Sequence, residues 1–207
     1  MIRTYKILSL LLSYPSEELQ EFLPEAIKEL TAEGLLGADQ MVGVSEFAEQ
    51  WGRRDLMDWQ AEYVQLFDNG KAASLYLFEH LKGESKDRGQ AMVDLMEHYR
   101  SRGMQLSSSE LPDFLPVFLE FLSSLPQEEA AETLSGAVNV ISLIHGRLAA
   151  KNNIYRHIHG AIVYLSATAP ELPAGSVLSV ADETENPDRS YDEPVTFGNE
   201  NPCINFK

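Results

Sequence analysis

The chain has 207 residues, 44% hydrophobic and 23% charged, enough apolar material for one packed domain and too much for wholesale disorder. Its 32 acids against 16 Lys and Arg leave a net charge of −16, so repulsion disfavours nucleic acid and anionic membrane surfaces as partners and favours a basic one. A single cysteine, Cys203, leaves no internal disulfide and no cysteine metal cluster, which points to a reducing compartment.

The apolar run at 7–12 follows two cations but is too short for a membrane span, and no small-residue cleavage site follows it. It reads as the first helix of a cytoplasmic protein. Ser16 is placed to cap a second helix, with Glu17 and Glu18 in its first turn and Gly34 as its stop; Pro24 is expected to kink or restart it. A shorter amphipathic piece is predicted at 42–51. Asp55 then caps a helix carrying Leu56, Trp59, Tyr63, Leu66 and Phe67.

Asp68-Asn69-Gly70 is a turn signal. A short helix is predicted from Ser74 to Gly83, with Leu75, Leu77 and Phe78 inward, and Ser85 caps the next helix, which Gly103 ends. Pro112 begins another, closed before Pro126. One long helix over 127–151 and a last one over 154–168 complete the pattern, and no stretch alternates with period 2. The expected fold class is therefore all-α, a single helical bundle over 1–169. Residues 171–207 hold eight acids against two cations and no apolar stripe, so an acidic, mobile tail is expected from 170 to 207.

Enzymatic motifs are missing: there is no Gly-x-Ser-x-Gly elbow, Walker loop or Gly-x-Gly-x-x-Gly run, and Cys203 stands in the polar tail. Of the five histidines, His157 and His159 are two apart on a helix and point to different faces, while His80, His98 and His145 are not spaced for co-ligation. No catalytic residue, resident metal or permanent cofactor is assigned.

The stretch 67–89 is different, with aromatic, acidic, basic and glycine residues crowded into a turn-helix-turn. Helix caps and a buried Leu-Phe pair account for Gly70, Ser74, Leu75, Leu77 and Phe78. They account less well for Tyr76, Glu79, His80 and Arg88, which suit a polar network or a ligand surface.

Leu66-Phe67-Asp68-x-Gly70, Ser74-Leu75-Tyr76-Leu77-Phe78-Glu79-His80, Gly83-Glu84-Ser85 and Asp87-Arg88-Gly89-Gln90-Ala91-Met92 form the specific block. Glu110-Leu111-Pro112-Asp113-x-Leu115-Pro116, the early Tyr14-Pro15 and the late Glu193-Pro194-Val195-Thr196-Phe197 extend it. With these words the chain resembles, over most of its length, the delta-subunit family of respiratory nitrate reductases, the NarJ-type molybdenum cofactor assembly chaperones. The resemblance implies an all-helical, non-catalytic cytoplasmic protein related to chaperones that proofread twin-arginine signal peptides. It implies binding to the N-terminal segment of the apo catalytic (alpha) subunit while the bis-guanine-dinucleotide molybdenum cofactor is inserted into that client, before membrane anchoring. Cofactor-synthesis proteins are admitted as further partners. In more distant chaperones of this kind His follows the Pro-Asp pair, whereas here Phe114 does, so no imidazole role carries over to that position.

A chaperone of this kind needs a groove for an amphipathic or extended segment rather than a catalytic constellation. Tyr63, Phe67, Tyr76 and Met92 are the candidate lining, with ordinary core packing as the competing reading for each. Asp68, Glu79, Asp113 and Glu120 are the candidate anchors for the cations of a basic client, and His80 and Arg88 complete the candidate set. Two other classes remain open from residues alone: an acidic helical adaptor that docks through its tail, and a metal-carrying bundle. Exchange of helices into a dimer is likewise undecided.

Overall fold

In the computed structural model, residues 1–81, 85–106 and 110–171 are described, with the side chains of 85–87 left aside. They form nine α-helices and, among the described residues, no strand, so the chain is all-α: α1 Arg3–Leu11, α2 Glu17–Glu33, α3 Ala38–Arg53, α4 Leu56–Tyr63, α5 Ser85–Ser101, α6 Leu115–Ser123, α7 Gln127–Ser135, α8 Val138–Ala150 and α9 Arg156–Tyr164. The expected tail beyond residue 171, Cys203, the late 193–197 words and the Gly83 stop lie outside the described residues. Among those residues no helix is long and apolar enough to cross a membrane.

Local chemistry starts and stops these helices. The Ser16 side chain accepts from the Leu19 amide, and Gly34, at φ 69°, returns its N–H to the Leu30 carbonyl. Pro24 does not restart α2; one element runs through it. At the end of α5 the Met104 amide reaches back to the Tyr99 carbonyl and the Gly103 amide to that of Arg100, a closing loop that needs the left-handed Gly103 at φ 80°.

α1 lacks a capping side chain of its own, and Glu33 of α2 supplies one. Its carboxylate accepts from the Arg3 amide at 2.9 Å and from the Thr4 amide and hydroxyl at 2.6 Å each. Burial works against that charge, but these bonds and the Arg3 cation outweigh it and hold the carboxyl below the usual range. Glu33→Ala is expected to cost about 1–2 kcal/mol, read as a lower urea midpoint, with Glu33→Gln in between. The contribution is present above the ordinary Glu pKa and fades as acid titrates the depressed one, so the two midpoints should converge at low pH.

α1 packs across α6 and α2, α2 on α3, α3 on α9 and α9 on α8. Gly43 lets α9 come close to α3: a Cβ there would stand 2.3 Å from the His157 ring. The buried heart is aromatic. Trp51 and Trp59 stack at 5.3 Å, Phe47 meets Tyr155 at 5.0 Å, and Phe67 meets Tyr63 and Tyr155 at 4.9 Å each. The Trp59 indole donates to the Tyr155 hydroxyl at 2.8 Å and the Tyr63 hydroxyl to the Leu12 carbonyl at 3.0 Å.

Five expectations of helix extent need correction. α3 begins at Ala38, four residues before the predicted piece. The helix read from Pro112 starts only at Leu115, because 113–114 are drawn into pairing with another segment. The helix expected over 127–151 is two, broken at Gly136 and Ala137, and the last helix ends at Tyr164 rather than near 168. The short helix expected from Ser74 is an extended step at 74–76 between two 3₁₀ turns, Lys71–Ala73 and Leu77–His80. That last difference builds the site.

Candidate functional site

α4 does not end cleanly. It widens into a π-helical turn, Val64–Asp68, closed by the Asn69 amide on the Val64 carbonyl at 3.0 Å. Such a turn spends an extra residue and redirects the chain, a distortion frequent at functional sites. Phe67 anchors it in the aromatic core, and the chain leaves through Gly70 into 71–80.

This strip finds its backbone partners far away in sequence. Tyr76 and Phe114 form an isolated antiparallel bridge, with the Leu77 amide on the Asp113 carbonyl at 3.0 Å and the Leu115 amide on the Leu75 carbonyl at 2.8 Å. Leu75, Leu77 and Phe78 are buried, whereas Tyr76 and Phe114 are half-buried with ring centroids 5.1 Å apart. The residue that stands where distant chaperones have an imidazole thus pairs its ring with Tyr76.

Acids surround this aromatic shelf. The Tyr76 hydroxyl donates to Glu110 at 2.9 Å, and Leu111 is exposed beside it in sequence. Burial first, then the Glu110 bond and the negative charges of Glu110, Asp113 and Asp68, push the Tyr76 phenol up to about 12. Arg88 stands 4.0 Å from Glu79, a half-exposed pair worth little by itself.

Asp113 is the unusual member. It is fully buried; Oδ2 accepts from the Phe78 amide at 3.0 Å, and Oδ1 is buried with no hydrogen-bond partner among the described residues. Burial pushes its carboxyl above the usual range, against the Phe78 bond, the Arg88 charge and its own backbone amide, and Glu79 adds to the rise. A buried acceptor left open is costly and marks a place where a donor would be welcome.

Tyr76, Glu79, Arg88 and Asp113 are therefore brought together, with Asp68 near enough to act on Tyr76 through its charge. The other expected residues lie elsewhere. Tyr63 and Phe67 are in the core, Met92 is half-buried on α5 against that core, and Glu120 pairs with Lys6 of α1. His80 faces inward: its Nε2 lies 2.8 Å from the Ser74 carbonyl and its Nδ1 3.1 Å from the Arg147 guanidinium. Burial, and then the Arg147 charge, lower its pKa.

A trough of about 930 Å³ opens along the other side of the strip, between α4 and the end of α8. Arg54, Asp58 and Glu62 stand on one wall and Arg147 and Lys151 on the other; none of the ten expected residues lines it. Among the described residues no three His, Cys, Asp or Glu side chains stand together as a metal site. Sequence reasoning missed Glu110, Phe114 and Arg147. Glu110 had a signal, its place before the Leu-Pro-Asp words, and Phe114 had one in its departure from His.

The arrangement offers surface, charge and an open acceptor, and no nucleophile beside a base. A family model for the nitrate reductase delta subunit matches residues 16–156. The chain belongs to that family. It is 41% identical over 163 residues, 79% of this chain and 69% of the relative, to the nitrate reductase molybdenum cofactor assembly chaperone NarJ of Escherichia coli (strain K12). It is 37% identical over 183 residues, covering 88% and 75%, to NarW of the same strain, provisionally named as a second such chaperone. A crystal structure from Archaeoglobus fulgidus, provisionally assigned as a redox enzyme maturation protein, overlays with a TM-score of 0.58 at 27% identity over 79% of this chain and 92% of the other. These relatives are named as assembly or maturation proteins. Within that family the Pro112-Asp113-Phe114 words now have a geometry: a buried acid beneath a paired aromatic edge.

Proposed function

We propose that this chain is a NarJ-type chaperone of a nitrate reductase. It binds the apo catalytic subunit in the cytoplasm, through that subunit's N-terminal segment, and supports molybdenum cofactor insertion before membrane anchoring. The cofactor belongs to the client, and no resident one is assigned to the chaperone. The single observation that carries the reading is the Tyr76–Phe114 shelf, rimmed by Glu79 and Glu110 and floored by the buried, half-satisfied Asp113.

The physics of the contact is simple. The paired rings offer apolar area at little entropic cost to the apolar side of an amphipathic segment. The acids attract its cations, and a net charge of −16 speeds the encounter. An arginine fork is the donor best shaped for the open Asp113 oxygen, provided the shelf parts to admit it.

The test is calorimetry with a peptide of the alpha-subunit N-terminus. Affinity is expected to fall as salt rises, because screening weakens exposed charge attraction. Asp113→Asn keeps an acceptor for the Phe78 amide and removes a charge that burial disfavours, so stability at neutral pH is expected to hold or rise. Peptide affinity in that variant is expected to fall about tenfold, the worth of one charge-assisted hydrogen bond. Binding that ignores salt, Asp113→Asn and Glu79→Lys/Glu110→Lys alike would remove the shelf as the client site.

A further inference from the structure

We infer that Arg147 of α8 is a positioning residue for the client-binding strip: its grip on Ala72 and His80 gives 72–80 the shape in which Tyr76, Glu79 and the Phe78 amide form the shelf. This rests on the reading of that strip as client-binding.

The guanidinium Nη1 donates to the Ala72 carbonyl at 2.9 Å and stands 3.1 Å from His80 Nδ1. The other imidazole nitrogen, Nε2, is 2.8 Å from the Ser74 carbonyl. A carbonyl only accepts, so Nε2 carries the proton. In a neutral ring Nδ1 is then an acceptor, which is what a guanidinium N–H requires. A doubly protonated ring would set N–H against N–H at Arg147. The pair thus selects the neutral ring protonated on Nε2, and burial of His80 acts in the same direction.

One cation therefore governs two carbonyls of the strip, two residues apart, Ala72 directly and Ser74 through the imidazole. Between them the backbone turns from the 3₁₀ turn Lys71–Ala73 into the extended step. On its other edge the strip is held by the Leu75, Leu77 and Phe78 bonds to 113–115. The bonds to 113–115 are mostly backbone to backbone and suit many side chains. The α8 edge depends on a guanidinium and an imidazole in one tautomer, so it is where a substitution can reshape the strip while the bundle stays closed. Lysine offers a point charge in place of a rigid fork and does not hold both acceptors in one plane.

Glutamine is the informative replacement at 80. Its amide can donate to the Ser74 carbonyl and its carbonyl can accept from Arg147, as the neutral imidazole does. Phenylalanine keeps the bulk and does neither. The full chain is used throughout, below its unfolding transition, with the alpha-subunit N-terminal peptide as titrant. Arg147→Lys, Arg147→Gln and His80→Phe are expected to weaken binding about tenfold each, and His80→Gln to restore most of the loss. The Arg147→Gln/His80→Phe pair is expected to be no worse than either alone, because the two residues act as a unit.

Long-range nitrogen–proton NMR reads the ring without the client. His80 is expected as the Nε2–H form in the native chain and as a mixture of forms in Arg147→Gln, with amide shifts confined to 72–80 and 113–115. An unchanged tautomer in Arg147→Gln, losses that multiply in the double variant, or a His80→Gln no better than His80→Phe would overturn the assignment. If the native chain does not bind the peptide, the client reading fails separately, and the tautomer and amide shifts still decide the role of Arg147.

Discussion

Trp59→Ala is expected to remove about 3–5 kcal/mol from the unfolding free energy, the usual cost of emptying a buried aromatic site. For a chain of this length that corresponds to a fall of about 10 °C in Tm. Trp59 is fully buried, stacks flat on Trp51 at 5.3 Å, and is the hydrogen-bond donor to Tyr155. Truncation opens a cavity and leaves the Tyr155 hydroxyl without that donor, two costs that share a cause. Trp59→Phe separates them, since it keeps most of the volume, and about 1–3 kcal/mol should remain as the cost of the lost bond. Tyr155→Phe should cost a similar amount, and the double variant no more than the larger single, because both remove one bond. The chain has only two tryptophans and both lie in this stack, so near-ultraviolet circular dichroism reports on it directly. The effect should reach the shelf as well. Tyr155 touches Phe67 of the π-helical turn, and that turn delivers the 71–80 strip. A Trp59→Ala chain that melts with the native one would mean the aromatic core is not what holds this half together.

The sequence distance over which each residue acts explains what was legible before the structure. Ser16, Gly34, Asp55 and Gly103 act on neighbours within a few residues, and each is found as a cap or stop where its chemistry put it. The break at Gly136 and Ala137 was invisible for a specific reason. Leu134 and Val138 are four apart, so the buried stripe runs on in helical register across the break. The 74–80 strip failed differently. Leu75 and Leu77 alternate, but two positions are too few to outweigh a helical reading, and the partners at 113–115 that extend the strip lie far along the chain. Asp113 could be picked out by its words, yet its burial and its open oxygen could not. Arg147 was hidden altogether. It sits in the run Leu143-Ile144-His145-Gly146-Arg147-Leu148, which reads as a core helix, and only the packing of α8 against the strip shows what it grips.

The packing of α9 against α8 and α3 buries His159, and from this a pH dependence of known sign follows. His159 is fully buried on α9; Nδ1 donates to the Tyr155 carbonyl at 3.1 Å, and Nε2 is buried with no hydrogen-bond partner among the described residues. Burial is the main cause that lowers its pKa to about 4, the charges of His145 and His80 add to it, and the Tyr155 bond only partly opposes it. The unfolded chain therefore takes up a proton near pH 6.5 that the folded chain refuses until about 4. Stability is full above the upper value and falls with acid across that window, by ~1.4 kcal/mol per pH unit and ~3 kcal/mol in all from this group. His80 and His157 are lowered too and push the same way, whereas Asp113, raised, pushes the other. A difference measurement cancels these contributions. His159→Leu fills the site with apolar volume and removes the unmatched acceptor, at the loss of the bond to Tyr155, so near pH 7 it should unfold within about 1 kcal/mol of the native chain. As the pH is lowered to 5 it should become the more stable of the two, the gap having widened by ~2 kcal/mol. Urea unfolding of both chains at several pH values decides the matter. Parallel profiles would mean that His159 is protonated as easily inside the fold as outside it, and that the bundle opens to water at α9.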